Sequence, residues 1–105
     1  MKKVFICSPY RSKDNKEKNI VTAQKACKAA LKKGYLPYAP HLYFPQFLSD
    51  SDPQQRELGI MFGLSWLADC DELWVIGDII TEGMQREINS AEELGVPVIS
   101  LLLKQ

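Results

Sequence analysis

The sequence has no excess of charge of either sign, and it has few cysteines and histidines. Thirteen basic residues balance thirteen acidic residues, which argues against non-specific binding to nucleic acid or to a membrane surface as the main role. The three cysteines, Cys7, Cys27 and Cys70, match no metal-binding or redox spacing. Because the chain also has only one histidine, we expect reduced thiols, no metal site and no cofactor.

Long apolar runs are absent as well. No stretch approaches the roughly eighteen apolar residues that a membrane span needs. The N-terminus begins with two lysines and an apolar segment, but that segment stops at Pro9, too early for the hydrophobic region of a signal peptide. We therefore expect a cytoplasmic protein. With no linker, repeat or low-complexity segment, residues 1–105 are predicted to form a single domain.

Short apolar runs rich in β-forming residues alternate with helical patterns along the chain. The predicted strands cover residues 3–8, 35–40, 73–76 and 97–103. The helices between them end at Gly34, near Asp69 and at Gly95. This alternation predicts a parallel sheet with helices on both faces, whose second strand lies at an edge or ends early because it contains prolines. Residues 41–50 are predicted to be an apolar loop that forms a pocket wall, a dimer contact or a flap.

Three local predictions concern the helices and the tryptophans. The first helix is predicted to turn an apolar stripe towards the core. The stripe consists of Ile20, Ala23, Cys27, Ala30 and Leu31. Asp52 and Pro53 are typical of a helix start, with Gln55 at the third position of a capping box. Trp66 and Trp74 are more typical of a core than of a site.

The main candidate site follows the third predicted strand. Ligands of open α/β sheets bind at the carboxyl ends of strands, where loops meet helix N-termini. Here Thr81 is predicted to cap the next helix, and Gly83 would let the backbone approach a ligand. Glu87, one turn into the helix, is a candidate nucleophile or general base. The alternative is that Glu87 is solvated, which is usual for a helical glutamate.

A second loop, at the end of the first strand, is predicted to lie on the same rim of the sheet. Arg11 and Ser8 in this loop suit a phosphate, because a guanidinium donates two parallel hydrogen bonds. Arg11 could equally be a surface residue paired with an acid. Tyr10 would stack on a base or simply pack, and Asp78, in the loop after the third strand, would bind ribose hydroxyls or only turn the chain.

Several of these segments resemble a known family. They are Ser8-Pro-Tyr-Arg11, the helix that ends at Gly34, Leu64-Ser-Trp-Leu-Ala-Asp-Cys-Asp71, Thr81-Glu-Gly-Met-Gln-Arg-Glu87 with Ala91, and Gly95-Val-Pro-Val. In this order they are similar to the nucleoside 2-deoxyribosyltransferase superfamily, which includes the 2′-deoxynucleoside 5′-phosphate N-hydrolases. The pattern Glu-Gly-Met-x-x-Glu resembles a small bacterial and phage branch of that superfamily. The resemblance covers nearly the whole chain, through short motifs.

The resemblance implies a flavodoxin-like or Rossmann-like three-layer sandwich with a central parallel sheet of four to five strands. It also implies a homodimer or higher homo-oligomer whose sites borrow residues across the interface, and a nucleoside or nucleotide as the ligand. Glu87 matches the family nucleophile and Gly83 the family glycine. Arg11 matches an arginine that holds the 5′-phosphate in the hydrolases, and Thr81 matches a phosphate-binding serine.

The sequence departs from the family pattern at two positions. Gly63 stands where the family has an aspartate that assists at the base or sugar, and Phe5 stands where the hydrolases have an aromatic residue near the sugar, but Phe5 has no hydroxyl. Loss of a proton-transfer partner typically costs about 10²–10⁴ in rate. The resemblance therefore implies the fold and the ligand class more firmly than the activity.

Three readings remain open from the sequence. The first is an enzyme that cleaves or transfers the N-glycosidic bond of a deoxynucleoside or its 5′-monophosphate, with Glu87 as nucleophile. The second is a non-catalytic protein that senses or sequesters a nucleotide or an ADP-ribose-like molecule. The third is a structural oligomer without a ligand, in which the apolar segment 41–50 forms the interface. The glycine at position 63 favours the second reading, and the retained Glu87 favours the first.

Overall fold

A computed structural model describes residues 1–9, 16–49 and 51–101 of the chain. Within these residues, the chain forms four strands and four α-helices, with a short 3₁₀ helix at Phe44–Gln46 between the second and third helices. The elements are β1 (Lys2–Cys7), α1 (Lys16–Lys32), β2 (Tyr35–Tyr38), α2 (Pro40–Tyr43), α3 (Pro53–Leu67), β3 (Glu72–Ile76), α4 (Glu82–Leu94) and β4 (Val98–Leu101). Within the described ranges, no helix is both long and apolar enough to cross a membrane.

The sheet is parallel throughout, with the strand order β2-β1-β3-β4. Successive side chains of a strand point to opposite faces, so β1 and β3 each supply two layers of core. Phe5 and Leu73 pack on one face with side chains of α3 and α4, and Val4 and Trp74 pack on the other face with α1. The predicted three-layer α/β sandwich is therefore confirmed, with four of the predicted four to five strands in the described residues, and β2 lies at an edge, one of its two predicted positions.

Helix α1 approaches the sheet through small residues. Ala23, Ala26 and Ala30 are buried, whereas Leu31 is 60% exposed. The predicted stripe was wrong at Leu31 and missed Ala26, because α1 turns its alanines, and not its larger side chains, towards the strands. Alanine has no side-chain bulk beyond Cβ, and it lets a helix lie close to a sheet.

The segment between β2 and α3 is more ordered than the predicted loop. It contains α2 and the 3₁₀ helix, and Phe44 is its buried anchor. The predicted start of α3 is confirmed, because the Asp52 carboxylate accepts a hydrogen bond from the Gln54 amide at 3.0 Å. The predicted capping box was wrong. Gln55 instead accepts from the Ser49 amide at 2.7 Å and so ties the segment to α3.

The two tryptophans differ in their surroundings. Trp74 is 3% exposed and donates its indole N–H to Glu72 at 2.9 Å, as expected for a core residue. Trp66 is 49% exposed, so its prediction as a core residue was wrong. It stacks on Tyr38, with ring centroids 4.8 Å apart, and Tyr38 belongs to the edge strand. A helix residue that covers a sheet edge keeps its outer face exposed.

Candidate functional site

The N-terminus of α4 carries most of the predicted site. Thr81 has extended backbone angles, and its hydroxyl accepts a hydrogen bond from the Met84 amide at 3.2 Å, which confirms it as the N-cap. The helix period then buries Met84, Glu87, Ile88 and Ala91 against the sheet. Glu87 therefore lies on the inner face of α4, six residues beyond the cap, and its position is set by the same helix period that sets the core.

Removing the cap is expected to destabilise the fold. Thr81→Ala should lower the free energy of unfolding by about 1 kcal/mol, because the Met84 amide loses its acceptor. Urea unfolding measures the change. The matched control is Thr22→Ala. The Thr22 hydroxyl donates to the Lys18 carbonyl inside α1, and its removal should change the free energy of unfolding by no more than about 0.5 kcal/mol. Equal losses in the two variants would contradict the capping role.

Glu87 is a buried carboxyl group, unlike the solvated glutamate that the sequence left as an alternative. The residue is 8% exposed, and its Oε1 has no hydrogen-bond partner among the described residues. Burial raises the pKa of Glu87 to about 8, and a hydrogen bond from the Cys7 thiol lowers it by a smaller amount. A buried acid with a pKa near neutrality is typical of groups that exchange protons during catalysis.

Cys7 is the β1 neighbour of this carboxyl. Its thiol also donates to the Met84 carbonyl at 3.6 Å, and burial, followed by the Glu87 charge, raises the thiol pKa well above its ordinary value. Cys7 therefore stays protonated and acts as a hydrogen-bond donor. A thiol in this state is neither a nucleophile nor a redox centre.

Glu87 lines a pocket of about 370 Å³, a volume suited to a small molecule. It is lined by the N-terminal turn of α4, with Thr81 and Gly83, by residues between Pro40 and Ser49, and by the first turns of α3. The apolar segment that the sequence left open as a pocket wall, a dimer contact or a flap thus does form a wall. A Cβ added at Gly83 would meet no atom nearer than 4.0 Å, so the space beside this backbone is open.

Two further predicted site residues that the structure describes, Ser8 and Asp78, do not line the pocket. Ser8 is 1% exposed, and its hydroxyl lacks a hydrogen-bond partner in the part of the chain that the structure describes. Asp78 is exposed in the loop between β3 and α4 and does not line the pocket. Tyr10 and Arg11 lie outside the described residues. The structure therefore brings Glu87, Thr81 and Gly83 together and leaves Asp78 apart.

The structure adds charged residues to the pocket that sequence reasoning missed. Arg56 and Arg86 both line it. Arg86 forms a two-pronged ion pair with Glu57, at 3.0 and 3.4 Å, and this pair lowers the pKa of Glu57. Arg56 is exposed at the pocket, with no ion pair to another described residue. The arginines lie on different helices, and no local motif links residues 56 and 86 in the sequence.

His41 is the other pocket residue that the sequence did not identify. It lies in α2, lines the same pocket as Glu87, and forms a hydrogen bond with the backbone of Ser8. Burial lowers the pKa of His41 to about 4, an effect larger than the opposing effect of the Ser8 bond. Within the described ranges, no three His, Cys, Asp or Glu side chains are grouped closely enough to hold a metal ion.

Comparisons with known proteins agree with this architecture. Residues 2–101 match the model of a family described as a domain of unknown function, DUF7768. Among solved structures, the chain is similar to the 2-deoxyribosyltransferase of the psychrotolerant bacterium Bacillus psychrosaccharolyticus, with a TM-score of 0.75. The two sequences are 17% identical, and the match covers 95% of this chain and 72% of the other. No curated protein sequence matches the chain. The structural match shows a shared fold.

Proposed function

We propose that this chain, which belongs to the DUF7768 family of domains of unknown function, cleaves or transfers the N-glycosidic bond of a deoxynucleoside or its 5′-monophosphate. The observation that carries this proposal is the buried Glu87 carboxyl, whose Oε1 lacks a partner among the described residues and which lines a pocket of about 370 Å³. The fold shared with a 2-deoxyribosyltransferase supports the choice of substrate class.

The chemistry proceeds in two steps through a glycosyl ester, as in retaining glycosidases. The ionised Glu87 attacks the anomeric carbon C1′ of the sugar. The bond from C1′ to the base nitrogen breaks, and its electron pair leaves with the base, which takes up a proton. Water, or the nitrogen of a second base, then attacks C1′, loses a proton, and returns the electron pair of the ester bond to the Glu87 carboxylate. No atom changes its oxidation state in this scheme, so the scheme needs no redox cofactor.

The remaining residues have proposed roles in binding. Arg11 and Thr81 would hold a 5′-phosphate, since the N-terminus of α4 carries the positive end of a helix dipole and unpaired amides. Ser8 and Tyr10 would contact the substrate from the loop after β1, whereas Asp78 lies outside the pocket lining and has no role in this scheme. The open space beside Gly83 allows the backbone of α4 to approach the ligand closely.

One observation favours a second function. With its pKa raised to about 8, Glu87 is mostly protonated at neutral pH, and a neutral carboxyl can donate a hydrogen bond to a ligand without attacking it. The alternative is therefore a protein that binds a nucleotide or an ADP-ribose-like molecule without cleaving it. The positive charge that develops on the sugar during cleavage would favour ionisation of Glu87, which is why we place catalysis first.

The two functions are separated by incubating the protein with the common deoxynucleosides and their 5′-monophosphates, alone and with a second free base. Chromatography detects a released or exchanged base, and thermal unfolding detects binding. Release or exchange supports the enzyme. A ligand-dependent rise in Tm without release supports the binding protein and rejects the enzyme.

We also propose that the protein is located in the cytoplasm and that its partner is a small molecule. All three cysteines are free thiols, which is usual in a reducing compartment. The balanced charge of the chain gives no general attraction to nucleic acid or anionic membranes, and we propose neither as a partner.

We also propose that the chain forms a homodimer or higher homo-oligomer through α3 and the segment beside it. From Leu58 onwards, helix α3 exposes large apolar side chains, and an apolar patch of this kind is normally covered by a partner. Its exposed residues are Leu58, Met61, Phe62 and Trp66, and the neighbouring segment adds Tyr43 and Phe47. Phe62 and Phe47 both contact Phe44, a pocket residue, so a second copy on this face would lie next to the pocket.

A charge placed on this face is expected to dissociate the oligomer. Met61 is 57% exposed. At micromolar concentration, Met61→Glu should shift the mass measured by light scattering to that of the monomer, because assembly would bury an unpaired carboxylate at a high cost in free energy. The control is Leu31→Glu, at an equally exposed leucine on α1, which should leave the mass unchanged. A wild-type protein that is monomeric at all concentrations would refute the assembly.

A further inference from the structure

An ion pair between two helices lies at the pocket of Glu87 without a role in the scheme above. Arg86 of α4 donates to both carboxylate oxygens of Glu57 of α3, at 3.0 and 3.4 Å, and both residues line the pocket. Their side chains are about half exposed, whereas Glu87, the residue after Arg86, is buried. The pocket is therefore solvated at the ion pair and closed off from water at Glu87.

The ion pair is suited to exchange with a ligand. An exposed ion pair contributes little to stability, because water solvates both partners when they separate. A guanidinium binds a phosphate with the same two parallel hydrogen bonds that it donates to a carboxylate. A phosphate can therefore take the place of Glu57 at Arg86 with the same geometry, and the half-exposed Glu57 side chain can turn to solvent.

The other charges of the pocket favour such an exchange. Among the described residues, the lining carries two arginines and two glutamates besides Glu87. Arg56 lies next to Glu57 on α3, and Glu82 lies four residues before Arg86 on α4. Glu57 raises the pKa of Arg86 through its hydrogen bond, and Glu82 raises it through its charge. The four charges cancel. Once Glu57 has left Arg86, the lining lacks one negative charge, which a phosphate supplies.

The pocket lining also separates the parts of a deoxynucleotide. A phosphate at the solvated end keeps part of its hydration, whereas the same charge at the buried end would be costly. The apolar lining residues Phe44, Leu48 and Ile60 suit the flat face of a base, which stacks well on aromatic side chains. The arginines are thus the part of the lining that suits the phosphate.

Resting on the proposed function, we propose that Arg86, together with Arg56, makes the protein specific for deoxynucleoside 5′-monophosphates over free deoxynucleosides, and that Glu57 holds Arg86 until the phosphate displaces it. Arg86 is then a specificity residue that contacts the phosphate, in addition to the groups named above, and Glu57 is a competing anion of the protein itself. The two halves of one ion pair should therefore have opposite effects on phosphate binding. A merely structural pair would weaken binding through both halves or through neither.

The test compares the binding of 2-deoxyribose 5-phosphate and of 2-deoxyribose by isothermal titration calorimetry, which does not depend on base release. The wild type should bind the phosphorylated sugar at least about tenfold more tightly than 2-deoxyribose. Arg86→Gln should lose about 10- to 100-fold in affinity for the phosphorylated sugar, as expected for a charged hydrogen bond, and should bind 2-deoxyribose like the wild type. Glu57→Gln keeps the shape but not the charge, and it should bind the phosphorylated sugar about fivefold more tightly.

Two matched controls remove the same charges away from the pocket. Lys28→Gln changes an exposed cation on α1, and Glu93→Gln changes an exposed acid on α4. Both should bind the phosphorylated sugar like the wild type. Arg86→Lys serves as a second variant if Arg86→Gln unfolds in a thermal melt, and it should still lose affinity, because an ammonium lacks the fork of a guanidinium.

The outcomes separate this proposal from the proposed function. Wild-type affinity in a folded Arg86 variant overturns the specificity role, and weaker binding by Glu57→Gln overturns the exchange. Equal rates of base release from a deoxynucleoside and from its 5′-monophosphate keep the proposed function but reject the specificity. Selective binding of the phosphorylated sugar by a wild type that releases no base supports the phosphate site and rejects the glycosidic reaction.

Discussion

Glu87→Gln is expected to lower the rate of base release by about 10⁴- to 10⁶-fold, the loss seen when members of a nucleophilic unit are removed from other enzymes. The amide has nearly the shape of the carboxyl but is far less able to form the glycosyl ester. Because Glu87 is buried and its pKa is raised, the variant also removes a group that is costly to ionise, and it should fold at least as well as the wild type. Chromatographic detection of free base measures the rate.

The matched control for this experiment is Glu93→Gln. Glu93 lies on the same helix, is exposed, and does not line the pocket, so its loss should leave base release unchanged. A Glu87→Gln protein that retained a tenth of the wild-type rate would exclude Glu87 as the nucleophile. Ligand binding retained by Glu87→Gln, together with no release by the wild type, would instead favour the binding function.

The second large effect is a dependence of stability on pH. Glu87 has a pKa of about 8 in the folded protein and an ordinary value of 4.5. Between these values the folded state holds a proton that the unfolded state has released, so the contribution of Glu87 to stability is lost as the pH rises from about 4.5 to about 8. At about 1.4 kcal/mol for each pH unit, the loss over this range is on the order of 5 kcal/mol. Above pH 8 it stays constant.

His41 has the opposite effect over part of this range. Its pKa falls from 6.5 to about 4 on folding, so its contribution to stability increases as the pH rises from about 4 to 6.5. The two slopes partly cancel in the wild type below pH 6.5, and the loss due to Glu87 should be clearest between pH 6.5 and 8. The free energy difference between the wild type and Glu87→Gln isolates Glu87, because His41 is common to both.

Urea unfolding of both proteins at a series of pH values measures this difference. The variant should equal the wild type near pH 4.5 and exceed it by several kcal/mol at pH 8.5. Glu93→Gln should follow the wild type at every pH. A difference that does not change with pH would show that Glu87 ionises as easily in the folded protein as in the unfolded chain, and the picture of a buried, proton-holding carboxyl would be wrong.

The predicted site was only partly accessible from the sequence. The place of Glu87 six residues beyond the Thr81 cap, on the inner face of α4, follows from local rules, since capping and the helix period act over a few residues. The burial of Glu87 does not follow from local rules. It depends on Cys7 in β1, which is eighty residues away in the chain, and on the packing around the pocket. His41 was missed because a single histidine between prolines and aromatic residues has no local pattern that fixes its direction.

The sequence by itself determined the order of the four strands and the three long helices, the caps at Asp52 and Thr81, the helix stop at Gly95 and the edge position of β2. These features depend on backbone preferences and hydrogen bonds between near neighbours. Only the tertiary structure decided that Trp66 covers an edge, that the segment after β2 becomes a pocket wall, and that His41 and Glu87 share one pocket. It also set their protonation, because desolvation depends on groups that folding brings together from distant parts of the chain.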